Sequence, residues 1–481
     1  MWKSIKNLGK QSAVYGIGHI LSRSIGFLLL PIHTKNLDPA QYGVVSLLFS
    51  TLAILNVVFS YGMDAAFLRF FIFERRREGR RDLFSTAHWM IFCSSILFSA
   101  VLFVFPSVFA NLIFRESDYG RLVRMASGIV FADAIALLPF LVLRAEEKAV
   151  SFVLLRSAGI GVTLGLNILY VVFLKRGVEG VFLSNLIASA FTVLTVLPIF
   201  VRWLRPRFDR GRLAEMLRFG LPYVPAGLAM VIMDQINRFF VDRMLGKEAT
   251  GLFSAGYKIG MIMSLAVAAF RFAWHPFFLS TARQKEAKAI FARVLTYFTL
   301  AAGILFLLVS GWTKEIMAIR IMGFALCDAA FVGGASVVPI VLCSYAAYGW
   351  YVNFMVAVYL KKKTVHLPWV TGAGALVAVA CNALFIPVWG LSGAAWATFL
   401  GYAVMAFLLH RITQTWYPIP YEWTRIGKLV LVFAAFFLLL SAVQSEWGKW
   451  LILAGLPGSL FLIRFFNESE KAFIRRRWKK A

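Results

Sequence analysis

The sequence predicts an all-α integral membrane protein with about 14 transmembrane helices, arranged as two parallel six-helix lobes around a central cleft plus two C-terminal helices. Three observations predict this fold: the composition, the length of the apolar stretches, and a duplicated pattern of motifs. Of the 481 residues, 60% are hydrophobic and 15% are charged, whereas soluble domains are about 45–50% apolar and about 25% charged. This excess of apolar surface excludes a soluble enzyme.

The apolar stretches have the length that a membrane-crossing helix requires, which is about 20 residues. This criterion predicts fourteen spans. They cover residues 12–33, 43–68, 84–109, 121–143, 150–174, 179–201, 218–243, 251–276, 289–312, 331–359, 365–387, 391–411, 426–443 and 447–465. The connections are too short for a soluble domain, so we expect the protein to act within the bilayer or at its faces.

Lys and Arg are concentrated on alternate connections between the predicted spans. Basic runs at 74–81, 202–218, 361–363 and 475–480 all fall on the same side of the membrane. Because Lys and Arg accumulate on cytoplasmic loops, this side and both termini are predicted to be cytoplasmic. Topology thus explains the net charge of +27 without a nucleic-acid partner. We expect a multi-pass protein of the cell (cytoplasmic or inner) membrane.

Short motifs recur after a little over 200 residues. The equivalent residues are Gly43 and Gly251, Asn167 and Asn382, Gly177 and Gly390, and Gly180 and Gly393. A shift of six spans preserves the orientation of each helix, so these are parallel repeats of the kind found in transporters. We therefore predict an N-lobe at 1–211 with spans 1–6 and a C-lobe at 212–415 with spans 7–12. Residues 416–481 would form two extra spans and a basic cytoplasmic tail.

Several ionisable residues lie well inside predicted spans, where a charge costs about 2.5–3.5 kcal/mol on insertion scales and commonly faces a partner or a watery cavity. The candidate substrate-binding or cavity residues are His19, Arg23, Asp133, Asp234, Arg238 and Lys258. A cationic cleft built from them would bind phosphate or anionic sugar groups by charge-assisted hydrogen bonds. Alternatively, pairs such as Asp234 and Arg238, which share one helix face, only neutralise one another.

Four further ionisable residues lie closer to the ends of their spans. Asp64, Arg69, Arg271 and His275 are candidates for a gate or an interface, because they are near enough to the bilayer surface to snorkel. The sequence contains no Walker A motif and no cluster of metal ligands. We therefore expect no catalytic residues, no metal and no cofactor. The energy source would be an H⁺ or Na⁺ gradient, the membrane potential or the substrate gradient.

Three groups of residues in the predicted lobes resemble one family. They are Gly16, Arg23, Leu30-Pro31 and the run from Leu37 to Gly43; Asp234, Arg238, Gly251 and Tyr257-Lys258-Ile259; and Asn382, Pro387, Gly390, Gly393 and Thr398. In this order and at these spans, they resemble the polysaccharide flippases of the multidrug/oligosaccharidyl-lipid/polysaccharide exporter superfamily. The resemblance covers roughly residues 1 to 411.

The resemblance implies a V-shaped, two-lobed flippase without enzymatic activity. Its substrate would be an undecaprenyl-diphosphate-linked oligosaccharide, moved to the outer leaflet for O-antigen, capsule or exopolysaccharide synthesis. A polysaccharide polymerase or other assembly protein would be a partner. Fourteen spans also resemble the lipid II flippase branch, whose last two helices form a groove for the lipid tail. An ion-coupled drug antiporter of the same superfamily is a further alternative, although that branch normally has twelve spans and its ion site is not evident in this sequence. A membrane glycan polymerase is less favoured, because no external loop is large enough for its catalytic site.

Overall fold

The computed structural model describes residues 26–321, 323–466 and 470. Most of these residues are helical, and ten helices are long and apolar enough to cross a membrane. A helix satisfies its backbone N–H and C=O groups internally, as the hydrocarbon core requires. The protein is an all-α membrane protein, as its composition predicts.

The described part of the first half of the chain contains eight helices, numbered in chain order. They are α1 at 26–36, α2 Pro39–Ser60, α3 Met63–Phe73, α4 Arg77–Val104, α5 Pro106–Phe114, α6 Gly120–Ala145, α7 Ala149–Asn167 and α8 Gly177–Trp203. A π-helical segment, Ile168–Phe173, extends α7. Asp38 caps the start of α2 by accepting a hydrogen bond from the Gln41 amide, with Pro39 in the first turn.

Eleven α-helices and one short hairpin form the described part of the second half. The helices are α9 Arg210–Gly220, α10 Tyr223–Leu245, α11 Lys247–Gly260, α12 Ile262–Thr281, α13 Ala287–Gly311, α14 Thr313–Ala318, α15 Val338–Lys361, α16 Leu367–Trp416, α17 Trp423–Ala442, α18 Glu446–Ala454 and α19 Leu456–Leu462. The 3₁₀ helices Ala329–Val337 and Thr364–His366 precede α15 and α16. Strands β1 Arg320–Ile321 and β2 Phe324–Ala325 pair antiparallel.

Helix α16 is a hairpin of two spans rather than one continuous helix. Its 50 residues would extend about 75 Å at 1.5 Å per residue, far more than the bilayer thickness. The backbone turns at Gly390, which adopts φ 55° and ψ −132°. Gly374 and Gly401 lie on either side of this turn, and a Cβ atom on Gly374 would lie 2.8 Å from the Gly401 carbonyl oxygen. This contact makes the two arms antiparallel, in agreement with predicted spans 11 and 12.

Twelve of the fourteen predicted spans correspond to long helices among the described residues, when the α16 hairpin counts as two and α9 with α10 counts as one. Helices α9 and α10 are bent by 44° relative to each other. The predicted first span lies partly outside the described residues. The predicted fourteenth span is the short pair α18 and α19, separated by Gly455. The number fourteen is therefore approximate.

The repeated motifs adopt the same local structure in both halves of the chain. Asn167 and Asn382 are both fully buried, and each side-chain amide donates to the carbonyl four residues earlier, at 2.8 and 2.7 Å. Gly177 and Gly390 then adopt φ values of 56° and 55°, which favour glycine because an L side chain would be strained there. The repeat is thus visible in backbone conformation as well as in sequence.

Helices α2 and α11 meet through residues that the repeat makes equivalent. A Cβ atom on Gly43 would collide with the Lys247 carbonyl oxygen, and one on Gly251 would collide with the Pro39 carbonyl oxygen. One turn further along, the hydroxyl groups of Ser46 and Ser254 share a hydrogen bond of 2.6 Å. All of these pairs reflect the same 208-residue shift. The two helices therefore cross around a local two-fold axis.

The C-terminal helices pack on the outside of the second half. Phe433 of α17 covers Gly303 of α13, where a Cβ atom would clash with the phenyl ring. Phe433, Leu429 and Leu307 belong to a small apolar cluster that is separate from the main core. The lobe boundaries at 211/212 and 415/416 remain a prediction from the repeat.

The contact between α2 and α11 can be tested by cross-linking. In a variant whose four native cysteines are replaced, Ser46→Cys with Ser254→Cys is expected to form an intramolecular disulfide upon mild oxidation. The hydroxyl oxygens are 2.6 Å apart, close to the S–S bond length of about 2.05 Å. The measurement is a mobility shift on a non-reducing gel. Ser60→Cys with Ser254→Cys is the matched control and should not react, since Ser60 lies about 21 Å further along α2. Equal reactivity of both pairs would contradict this packing.

Candidate functional site

Three of the predicted cavity residues, all from the predicted C-lobe, lie beside the contact between α2 and α11. Asp234 and Arg238 are on α10 and Lys258 is on α11. His19 and Arg23 lie outside the described residues. We call Asp234, Arg238 and Lys258 the central charged cluster.

Asp234 is held by three tyrosine hydroxyl groups. Tyr257, Tyr345 and Tyr402 donate to the same carboxylate oxygen, Oδ1, at 3.4, 3.1 and 2.5 Å respectively. The tyrosines come from α11, α15 and α16 and are almost completely buried. Asp234 therefore ties three helices together through charge-assisted hydrogen bonds, which are stronger than bonds between neutral groups.

Arg238 bonds to neutral acceptors instead of to the neighbouring carboxylate. Its Nε donates to Ser46 Oγ at 3.1 Å. Its Nη1 donates to the main-chain carbonyl of Asp234 at 2.6 Å and to the Asn237 side-chain oxygen at 3.2 Å. The guanidinium also lies 4.5 Å from the centre of the Tyr257 ring, a favourable cation–π arrangement. Arg238 is thus anchored on both α10 and α2.

Lys258 places a second positive charge in the same region. Its Nζ lies 5.5 Å from the centre of the Tyr42 ring. A Cβ atom on Gly26 would lie 3.9 Å from Nζ, so the ammonium group is adjacent to α1. Lys258 and Arg238 are close enough to repel each other. The cluster therefore concentrates positive charge between α1, α2, α10 and α11.

The central charged cluster has an uncompensated positive charge. Across the described part of the chain, neither Arg238 nor Lys258 has a carboxylate oxygen within 4.0 Å. Asp234 and Arg238 share a helix face but do not form a side-chain ion pair, because the Asp234 carboxylate faces the tyrosines. Two cations and one carboxylate leave a net charge of about +1.

A row of tyrosines that the sequence reasoning missed extends from Asp234 toward Arg271. The Tyr348 ring lies 5.4 Å from the Tyr402 ring, and Tyr348 accepts a hydrogen bond from Arg271 Nη1 at 3.3 Å. His275, one turn beyond Arg271, packs edge-on against Tyr359. Tyr348 and Tyr359 share one face of α15. Their helical spacing in the sequence could have identified them. Arg271 therefore connects to the cluster through Tyr348 and Tyr402, whereas His275 contacts Tyr359.

Asp64 and Arg69 lie apart from the cluster, on α3. Both side chains are exposed. The Arg69 guanidinium stacks 4.4 Å from the centre of the Phe219 ring on α9. Here Gly62 and Gly220 also bring the two backbones into close contact. These two residues thus mark the junction between α3 and α9.

Asp133 lines a separate polar cavity of about 470 Å³ between α2, α6, α7 and α8. It accepts a hydrogen bond from Ser189 Oγ at 2.9 Å and another from Asn56. Arg156, which the sequence reasoning did not single out, lines the same cavity. The structure therefore separates Asp133 from the central charged cluster.

An apolar groove of about 540 Å³ lies between α12 and α13. Phe270, Phe298 and Leu305 contribute to its wall, and Arg293 is the one charged residue that lines it. Its wall offers few hydrogen-bonding groups, so the groove is suited to a hydrocarbon chain.

The tyrosine hydroxyls around Asp234 can be tested by removing one of them. Tyr402→Phe is expected to lower the free energy of unfolding by about 1.5–3 kcal/mol, the range for a hydrogen bond to a charged group. The measurement is thermal unfolding of the detergent-purified protein. Tyr351→Phe is the control, because Tyr351 is similarly buried and its hydroxyl has no hydrogen-bond partner among the described residues. Equal effects of the two substitutions would argue against a stabilising role of the Asp234 bonds.

Comparison with known proteins places these features in a family. Residues 8–282, more than half of the chain, match the model of the family described as polysaccharide biosynthesis protein. Protein 1 of the Lsg locus from Haemophilus influenzae is 23% identical over 283 residues, which cover 58% of this chain and 67% of that protein.

Solved structures show the same fold at low sequence identity. The lipid II flippase MurJ in an inward closed conformation aligns with a TM-score of 0.74 at 12% identity, covering 97% of this chain and 99% of that chain. An inward-facing multidrug resistance MATE family transporter of the MOP superfamily aligns with a TM-score of 0.66 at 16% identity, covering 85% and 96%. Because the family model matches more than half of the chain, from the first half into the second, this chain belongs to the polysaccharide biosynthesis protein family.

Proposed function

We propose that this protein flips undecaprenyl-diphosphate-linked oligosaccharide repeat units from the inner to the outer leaflet of the cytoplasmic membrane. The product would supply synthesis of a surface polysaccharide such as O-antigen, capsule or exopolysaccharide. A polymerase and other assembly proteins would then use it on the outer side. Both termini would be cytoplasmic, in agreement with the distribution of Lys and Arg.

The observation that carries this proposal is the uncompensated positive charge of Arg238 and Lys258. A diphosphate is an anion with several acceptor oxygens, and Arg and Lys bind phosphate oxygens by charge-assisted hydrogen bonds. Arg238 is 6% exposed and Lys258 is more accessible. We therefore propose that the diphosphate contacts Lys258 first and then the more deeply buried Arg238.

The apolar groove supports a lipid-linked substrate. A polyprenyl chain requires an apolar surface, and the groove between α12 and α13 provides one with Arg293 in its wall. The last helices of the chain pack beside it, since Phe433 of α17 lies against Gly303 of α13. In this arrangement the lipid tail stays in an apolar environment while the polar head crosses between the lobes.

Alternating access requires α2 and α11 to separate. The predicted sidedness places Gly43 and Gly251 near the outer face, so the present contact closes the outer side. Arg238 belongs to this closure because it donates to Ser46 across the interface. An anion at Arg238 would compete with Ser46 for the guanidinium and weaken the closure. An H⁺ or Na⁺ gradient, or the membrane potential, would supply the energy.

Lipid II is the second candidate substrate. The observation that favours it is the similarity to the lipid II flippase MurJ over nearly the full length of both chains. Undecaprenyl-diphosphate-linked repeat units and lipid II share the polyprenyl diphosphate and differ in the glycan. The central charged cluster would serve either substrate, so only the accumulated lipid can distinguish them.

The proposal predicts a transport defect when the cations are neutralised. In a strain lacking this gene, Arg238→Gln and Lys258→Gln are each expected to restore outward transport at least about tenfold less well than the wild type, because each removes a charged contact to the diphosphate. The measurement is leaflet-resolved labelling of lipid-linked glycan with a membrane-impermeant reagent. Mass analysis of the lipid trapped inside identifies the glycan.

Arg243→Gln is the matched control, since Arg243 is on the same helix but is exposed. It should restore transport fully at equal expression. Accumulation of lipid II in the deletion strain would favour the second candidate. Normal transport by both cluster variants would rule out the diphosphate site, and normal outward labelling in the deletion strain would rule out the proposed function.

A further inference from the structure

The polar cavity around Asp133 has the composition of a ligand site. It is lined by fifteen residues, eight of which are polar. Its volume of about 470 Å³ falls within the range of about 300–1,000 Å³ that is typical of small-molecule sites. In a chain that is 60% hydrophobic, a cavity of this polarity between membrane-spanning helices needs a polar occupant, water or ligand, to satisfy its lining groups.

Asp133 and Arg156 face each other across this cavity without a direct ion pair. They are close enough to attract each other, but no N–O distance between them is 4.0 Å or less. Arg156 makes no hydrogen bond to any described residue, and its guanidinium lies 4.1 Å from the centre of the Phe140 ring. It therefore presents its N–H donors to the cavity and is held in place by aromatic stacking.

The other polar groups complement these donors with acceptors. Thr163 and Thr192 donate their hydroxyl hydrogens to main-chain carbonyls four residues earlier, at 2.9 and 2.8 Å. Asn185 likewise uses one amide hydrogen on the Val181 carbonyl, at 2.8 Å. The oxygen lone pairs of all three side chains remain available. The cavity thus offers donors and acceptors together, which is the pattern that vicinal sugar hydroxyls require.

The net charge of the cavity separates its role from that of the central charged cluster. One carboxylate and one guanidinium leave it neutral, whereas the cluster has a positive excess. An anionic diphosphate is therefore favoured at the cluster, and an uncharged polar group is favoured in the cavity.

We infer that the cavity lined by Asp133, Arg156 and Asn185 is a subsite for an uncharged sugar of the lipid-linked glycan. This inference rests on the proposed function and adds to it a site that determines glycan specificity. Asp133 accepts hydrogen bonds from sugar hydroxyls and Arg156 donates hydrogen bonds to sugar oxygens. The bound sugar thus bridges the two oppositely charged side chains. The diphosphate stays at Arg238 and Lys258.

The test compares two lipids on the full-length protein in nanodiscs. The probes are the lipid-linked oligosaccharide extracted from the deletion strain and undecaprenyl diphosphate alone, with binding measured by native mass spectrometry. Asp133→Asn and Arg156→Gln are each expected to weaken binding of the oligosaccharide lipid about tenfold and to change binding of undecaprenyl diphosphate by less than about twofold. The control is Arg124→Gln, because Arg124 also stacks on a phenylalanine, Phe103, but lies outside the cavity.

The outcomes distinguish this inference from the proposed function. If both cavity variants weaken the two lipids equally, or weaken neither, the sugar subsite is wrong while the flippase proposal stands. If the wild type binds neither lipid, or Arg238→Gln leaves binding of undecaprenyl diphosphate unchanged, the proposed diphosphate site is wrong. The sugar subsite, which depends on that site, is then wrong as well. Thermal unfolding of each variant shows whether it is folded. An unfolded Arg156→Gln variant would itself contradict the inference, which assigns Arg156 to the ligand and not to the fold.

Discussion

The close approach of α2 and α11 is the constraint on which the rest of the structure depends. Glycines at 43 and 251 allow each backbone to touch the carbonyl of the other helix, where a Cβ atom would collide. This approach brings Ser46 to Ser254 and within reach of Arg238. Small residues at helix crossings are the usual means of close packing in membranes, where no hydrophobic effect drives helices together.

The two halves share a scaffold but differ in their chemistry. Asn167 and Asn382 form equivalent hydrogen bonds, and Gly177 and Gly390 turn the chain with equivalent backbone angles. Such positions are fixed by backbone geometry, so both copies of the repeat keep them. The charges are not duplicated, because the second half carries Arg238 and Lys258 where the first half carries uncharged Leu30 and Ser50 under the 208-residue shift. The central charged cluster therefore lies where the second half meets α2, whereas the neutral polar cavity lies within the first half.

The sequence predicts the membrane fold, most of its spans and the charges within them, because a charge in an apolar run is conspicuous. It could not place Tyr257, Tyr345 and Tyr402 around Asp234, since these tyrosines come from three helices and each resembles any other aromatic residue in a span. Nor could it join Arg156 to Asp133, because their meeting depends on how α6 and α7 pack. Local sequence patterns identify the charged side chains that are costly to bury. Tertiary packing determines which hydrogen-bond and charge partners those side chains find.

The choice of partners for Arg238 explains how a buried cation can keep its attraction for anions. Burying a charge in the membrane costs several kcal/mol unless polar groups replace its water. Ser46, the Asp234 carbonyl and the Asn237 amide oxygen replace that water, and they are dipoles without net charge. A carboxylate partner would stabilise the guanidinium more strongly but would cancel its field at long range. The Asp234 carboxylate accepts hydrogen bonds from three tyrosines instead of pairing with Arg238. The positive charge of Arg238 is therefore left uncompensated.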